Sequence, residues 1–195
     1  SFCFGFPIGY LIFEKKRNIK NISKFSKIIL ITIENFVNIF RSFPFIILMI
    51  ILFPLSRMIV GTTIGTTASI VPLTVAAIPF VARITENALS NVDKNIIKMA
   101  EMMGGRKKDI LLKILIPESL PSIINGLTLT SINLIGFTAM AGAVGGGGLG
   151  DLAVRYGFHR FKTDILMISV LAIIIIVQLI QSVGNRIERS ILAKR

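Results

Sequence analysis

The 195 residues are 53% hydrophobic and 16% charged, with a mean hydropathy of +0.77. Soluble domains carry roughly 25% charged residues, and the apolar excess here is gathered into runs such as 28–33, 45–53 and 165–177, which excludes one water-soluble globule and points to lipid-facing helices. The net charge of +12 raises nucleic acid as a partner, but the 22 Lys and Arg sit in the gaps between apolar runs, Trp is absent and Tyr occurs twice; no basic face with stacking aromatics is formed, and nucleic acid is excluded.

Five apolar stretches follow in order. The first, 1–13, begins at Ser1 already inside the apolar run, so this span is expected to be cut short at its start. It holds Cys3, the single cysteine, which rules out an intrachain disulfide or a thiolate metal site. The other four, 28–55, 64–89, 119–144 and 163–184, each have enough residues at ~1.5 Å per residue to cross a hydrocarbon core of ~30 Å. In the second, Glu34, Asn35, Asn38 and Arg41 are polar and Pro44 and Pro54 interrupt the run. Glu34 and Arg41 share a helical face with Asn38 between them, which predicts a structural pair or an amphipathic turn at the membrane boundary. The third is expected to bend at Pro72 and Pro79. In the fourth, Asn125, Leu129, Asn133, Gly136 and Met140 recur at helical spacing and form one stripe that runs into Gly142 and Gly145–Gly148. Two roles fit Asn125 and Asn133: lining a water-filled path, or bonding a neighbouring helix. Met140, flexible and apolar, is a candidate plug for such a path. No stretch repeats another.

Orientation follows from the connecting segments. Seventeen Lys and Arg fall in 14–27, 83–118 and the tail after Gly184, against four in the intervening connections. The positive-inside rule then puts the N-terminus outside and the C-terminus in the cytoplasm.

Segment 90–117 is too polar for the bilayer and too long for a turn. Asp93 is placed to cap a helix carrying Ile96, Ile97, Met99, Ala100, Met102 and Met103; Gly104–Gly105 breaks it, and a second apolar helix from Ile110 to Ile116 is predicted to stop at Pro117. Such an elbow suits either a partner's groove or an anionic lipid surface.

The run Met99-Ala-Glu-Met-Met-Gly104, followed by Ile114-Leu-Ile-Pro117, resembles the EAA loop of ABC importer permeases. Lys98 stands where that family has its leading Glu, which leaves contacts at this one position undefined. The stretches 37–48, 60–65, 70–74, 79–83 and 142–150 resemble, in order, the methionine-importer branch of the family, and the likeness covers the chain from about Asn35 to Arg195. The resemblance implies an all-α membrane protein: a five-span helical bundle of the type I ABC importer permease, its first span truncated here, with a cytoplasmic coupling helix. ATPase coupling would rest on the loop residues Asp93, Met99, Ala100, Glu101, Met103, Gly104, Gly105, Ile114 and Pro117, and the path or gate on Asn125, Asn133 and Met140. The implied assembly is a homodimer in the lipid of the bacterial inner membrane, with two copies of a cytoplasmic ATP-binding subunit and an extracytoplasmic substrate-binding lipoprotein. The implied cargo is methionine, in the L- and D-forms.

Chemistry of its own is not expected. No Gly-Lys pair occurs, so a GxxxxGK[ST] phosphate loop is missing and the energy must come from another subunit. His159, the single histidine, has no Glu or His at i+4 to build a zinc site. No cofactor, metal or catalytic residue is assigned. The rival reading is an ion-coupled secondary transporter, which uses internal repeats and mid-membrane acids; Glu34 is the one acid this reading of the spans places well inside one.

Overall fold

The computed structural model describes residues 1–17 and 24–193, the side chains of 24–26 excepted; Lys20, Lys194, Arg195 and the Lys24 side chain lie outside the described residues. Every regular element among them is helical. The sequence is rich in Ile and Val, which favour strands in water, but in hydrocarbon each backbone N–H and C=O must be satisfied within its own segment, and a helix does this.

Helix α1 (Phe2–Arg17) is followed by α2 (Lys24–Ser42), α3 (Phe45–Ile51) and α4 (Phe53–Val60). The apolar stretch 28–55 is therefore not one rod: α2 and α3 meet at 107°. Pro44 lacks an N–H and its ring keeps Phe43 out of the helical region, so the hydrogen-bond ladder cannot continue across the pair.

The hub is α5 (Thr66–Ser90), against which α1, α2, α3, α4 and the long helix α8 (Ile116–Ala141) all pack. Its buried positions are mainly small, among them Ala68, Ala76, Ala77, Ala82 and Ala88, and Pro72 and Pro79 are buried within it. Small residues let backbones approach where lipid tails remove the usual hydrophobic drive between helices. Helix α1 approaches α5 through Gly5 and Gly9. A Cβ on Gly9 would sit 2.3 Å from the Ala82 carbonyl oxygen, and one on Gly5 2.6 Å from Val81 Cβ.

Between α5 and α8 lie two short helices, α6 (Lys94–Met102) and α7 (Lys107–Ile110). The predicted stop at Pro117 does not occur. Leu111–Leu115 forms a π turn, and the helix runs on from Lys107 through Ala141 before non-helical Val144 and Gly145 break it. The π turn shifts the bonding frame by one residue just before Pro117, which sits in the first turn of α8, the position where its ring and missing N–H are best tolerated. Beyond α8 the chain makes a tight glycine turn, a short α9 (Gly148–Asp151), a second π turn over Leu152–Phe158, and α10 (Thr163–Leu192). The glycines give close packing here: a Cβ on Gly150 would fall 2.4 Å from the Ala139 carbonyl oxygen.

By length and composition α5, the Lys107–Gly146 segment and α10 can cross a membrane, and the bent α2–α3 pair makes a fourth candidate. Little of α10 is covered by the rest of the chain. At the glycine end a cluster of Phe45, Leu48, Met49, Ala76 and Ala141 closes the bundle, with Phe45 and Phe137 stacked at 4.6 Å.

Candidate coupling elbow and path face

The elbow begins where Asp93 caps α6, its carboxylate accepting the Asn95 N–H at 2.8 Å. It turns at Gly104, whose φ of +78° is the left-handed conformation that suits glycine. The Gly105 N–H reaches the Ala100 carbonyl and the Gly104 N–H the Glu101 carbonyl, both at 3.0 Å, which closes α6 in a Schellman motif. Gly105 is needed for a different reason: a Cβ there would lie 2.8 Å from the Ala100 oxygen.

The two faces of the elbow differ. Inward, Ile97, Ile110 and Leu115 are buried with Phe13 of α1 and Leu89 of α5, and Ala100 packs against them. Outward, Ile96, Met99, Met102 and Met103 are exposed, Met102 at 80% and Met103 at 87%. Of the loop residues predicted from sequence, Met99, Met103 and Gly104 lie on the outer side, Glu101 lies at the edge, and Ala100 and Ile114 are half-buried. Pro117 lies at the base of α8.

Two ion pairs tie the elbow to the end of α1: Arg17 to Glu101 at 2.9 Å, and Lys107 to Glu14 at 2.6 Å. The Lys107 hydrogen bond holds the Glu14 carboxyl below its ordinary range, and Glu14 in turn raises Lys107. A depressed carboxyl contributes stability above the unfolded value of about 4.3 and loses it as pH falls through the folded value. A raised ammonium contributes below about 10.4 and loses it as pH climbs through its folded value. Lys107→Met is therefore expected to lower the thermal midpoint slightly near neutrality. That difference from the parent should shrink as pH falls below about 4.3 and vanish once pH lies below the depressed Glu14 value, in a midpoint-against-pH series on both proteins.

Glu86 is an acid that the pattern of apolar runs passes over. It sits in α5, 3% exposed, bonded to Arg83 and to Lys16 of α1 at 3.0 Å. Glu34 of α2 joins through Lys16 at 3.4 Å, too poorly aligned for a hydrogen bond. Of the two roles expected for Glu34 and Arg41, the direct pair is not formed, and both lie on the amphipathic α2. Seven residues separate the two by about 10 Å along the helix, and the Arg41 guanidinium lies over the Phe80 ring at 5.4 Å. Three helices thus meet on the Lys16 ammonium: α1 carries it, and Glu34 of α2 and Glu86 of α5 face it. Glu86→Gln leaves two cations short of their partner and is expected to cost about 1–3 kcal/mol, read as a lower thermal midpoint in detergent. Arg41→Gln should cost much less.

On α8, Asn125, Leu129, Asn133, Gly136 and Met140 are all exposed, one continuous strip that the rest of the chain leaves uncovered. Asn125 donates to Glu188 of α10 at 3.4 Å, a long contact, and Asn133 makes no hydrogen bond among the described residues.

A multi-helical bundle whose central helices are apolar enough to cross a membrane, with a methionine-faced elbow at one end and a strip of Asn125, Leu129, Asn133, Gly136 and Met140 left open along α8, is the architecture of a membrane-spanning transport subunit. The chain belongs to the family of inner membrane components of binding-protein-dependent transport systems, whose model matches residues 6–194. It is 44% identical over 193 residues to the probable D-methionine transport system permease protein MetI of Vibrio cholerae, covering 98% of this chain and 84% of the relative. It is 46% identical over 155 residues to the methionine import system permease protein MetP of Bacillus subtilis, covering 80% and 70%. A solved structure of inward-facing conformations of the MetNI methionine ABC transporter matches at a TM-score of 0.90 and 42% identity, over 97% of this chain and 87% of that one. The bundle is thus the type I importer permease fold, and the chain is a multi-pass inner membrane permease.

Proposed function

We propose that this chain is the permease subunit of a methionine importer, working as a homodimer gripped by two cytoplasmic ATP-binding subunits and supplied by an extracytoplasmic binding protein. The observation that carries the reading is the elbow: its inner face is locked onto α1 and α5, while Ile96, Met99, Met102 and Met103 are presented outward with nothing over them. Relatives named as methionine permeases, and a methionine ABC transporter of matching fold, support the cargo. The N-terminus lies outside and the C-terminus inside, as the placement of Lys and Arg favours; segment 90–117, between the proposed spans 64–89 and 119–144, then faces the cytoplasm. Spans 1–13, 28–55 and 163–184 complete the bundle.

Mechanically, the elbow transmits force because it is bolted at both limbs. Arg17 holds α6 through Glu101, and Lys107 of α7 holds Glu14. A pull on the methionine face of α6 reaches α1, α5 and the continuous α7–α8 helix together, a rigid-body switch between inward and outward opening. Asn125, Asn133 and Met140 line the path, at the two-fold axis where the exposed strips of two protomers face each other.

The test is co-reconstitution of the permease with its ATPase and binding protein in vesicles. ATP-dependent uptake of labelled methionine is expected, and none with the ATPase left out. Gly104→Pro is the control that breaks the elbow, since proline cannot adopt the φ of this position; it should lose the ATPase on co-purification. Uptake driven by a proton gradient without ATP would overturn the reading. Met140→Ala is expected to raise methionine leak through vesicles lacking ATP, and an unchanged leak would remove Met140 from the gate.

A further inference from the structure

A cleft of ≈ 540 Å³ opens at the elbow end, between the last turn of α1 and the first turns of α6. Its floor is apolar, formed by Phe13, Val92 and Ile97, and its wall carries four cations, Lys16, Arg17, Lys94 and Lys98. Two of these are already engaged: Lys16 by Glu86 and Glu34, and Arg17 by Glu101, the one carboxylate in the lining. Lys94 and Lys98 form no ion pair among the described residues. They are four residues apart on α6, hence on one side of it, where like charges repel. An anion held between them removes that repulsion. Lys98 is also where the EAA pattern has a Glu, so the departure from the family pattern turns an acid in this wall into a cation.

We propose that this cleft binds the phosphate of an anionic phospholipid headgroup, with Lys94 and Lys98 on the phosphate and Phe13, Val92 and Ile97 against the adjoining glycerol and acyl carbons. A soluble phosphate compound shares the first contact; because Phe13, Val92 and Ile97 are themselves 4–7% exposed, what favours a lipid is the level of the cleft in the membrane. The floor belongs to the same buried cluster as Leu89 and Ile110. The cleft lies where the apolar run of α1 ends at Phe13 and gives way to Glu14, Lys15, Lys16 and Arg17, the level at which headgroups and juxtamembrane cations meet. A lipid seated there bridges α1 and α6 and adds a third tie to the two ion pairs that hold the elbow. The proposal needs only the membrane placement of the family and is independent of which solute is carried.

The test uses the full permease–ATPase complex, stripped of lipid in a zwitterionic detergent and then titrated with phosphatidylglycerol or phosphatidylcholine. Bound lipid is counted by native mass spectrometry. Phosphatidylglycerol is expected to be retained and phosphatidylcholine not. K94Q/K98Q should weaken retention by roughly ten- to thirty-fold, the loss of two cations near a lipid phosphate. K108Q/K113Q, which removes the same charge from exposed positions outside the cleft, should leave retention unchanged. A thermal midpoint for each variant in lipid-free detergent separates lost binding from lost folding. Competition by millimolar inorganic phosphate would assign the site to a soluble phosphate compound and overturn the lipid assignment; absence of competition supports it. Equal retention by the parent and K94Q/K98Q, or equal loss in both double variants, would overturn the site altogether.

Discussion

Replacing Met102 and Met103 together by Glu is expected to release the ATPase from the permease while leaving the bundle folded. Both side chains are almost fully exposed and neither belongs to the buried cluster under the elbow, so the folded subunit loses little when they become charged. The partner loses much more. Flexible, polarizable side chains at the centre of an interface act as anchors, and a carboxylate forced into an apolar groove must be desolvated without a counterion. Losing two anchors is worth about 3 kcal/mol or more, which is roughly a hundredfold in Kd. The measurement is co-purification of the ATPase at fixed detergent and salt, with ATP-driven uptake read in parallel. Normal uptake by the double variant would mean that force enters the bundle somewhere other than α6.

The second large effect is at the crossing of α1 and α5. Gly9→Val should strongly destabilise the subunit, because its Cβ would have to occupy space 2.3 Å from the Ala82 carbonyl oxygen and 2.7 Å from Thr85 Cβ. The first obstacle is backbone, so rotamer changes cannot clear it and the helices must separate. Overpacking of this kind costs about 3 kcal/mol. Separation also pulls Lys16 from Glu86 and Arg17 from Glu101, since both cations ride on α1. A drop in thermal midpoint of roughly 6–12 °C is expected in detergent, with lower yield in the membrane. Gly136→Ala is the matched control. That glycine is on the open face of α8 and has nothing of its own chain within 4 Å of an added Cβ, so the α1–α5 clash has no counterpart there.

Local signals account for much of what the chain alone conveys. The spacing around Asp93 and Gly104 is enough to draw a capped helix and an elbow, because a cap and a left-handed turn depend on only a few successive residues. The stripe from Asn125 to Met140 is likewise legible, since helical periodicity puts those positions on one face whatever packs behind them. The same periodic reasoning puts Glu34 and Arg41 on one face of α2, but of its two readings the direct pair is not formed. Sequence spacing says which side chains share a face, but not that α1 brings Lys16 nearer. It also ends a helix at Pro117, because the penalty for proline is a local rule and the π turn that relieves it is one residue of register invisible to composition.

What the amino-acid order determined by itself is the medium and the machinery: hydrocarbon-length apolar runs, cations in alternate connections, and a glycine elbow between two apolar limbs, all set by short-range chemistry. What only the tertiary structure decided is who meets whom. Gly5 and Gly9 read as ordinary residues of a shortened span until α5 lies across them, and Glu86 reads as a boundary charge until α1 closes over it. Those contacts join residues some 70 positions apart, and their energies come from close approach and desolvation, which depend on distance in space and not on distance along the chain.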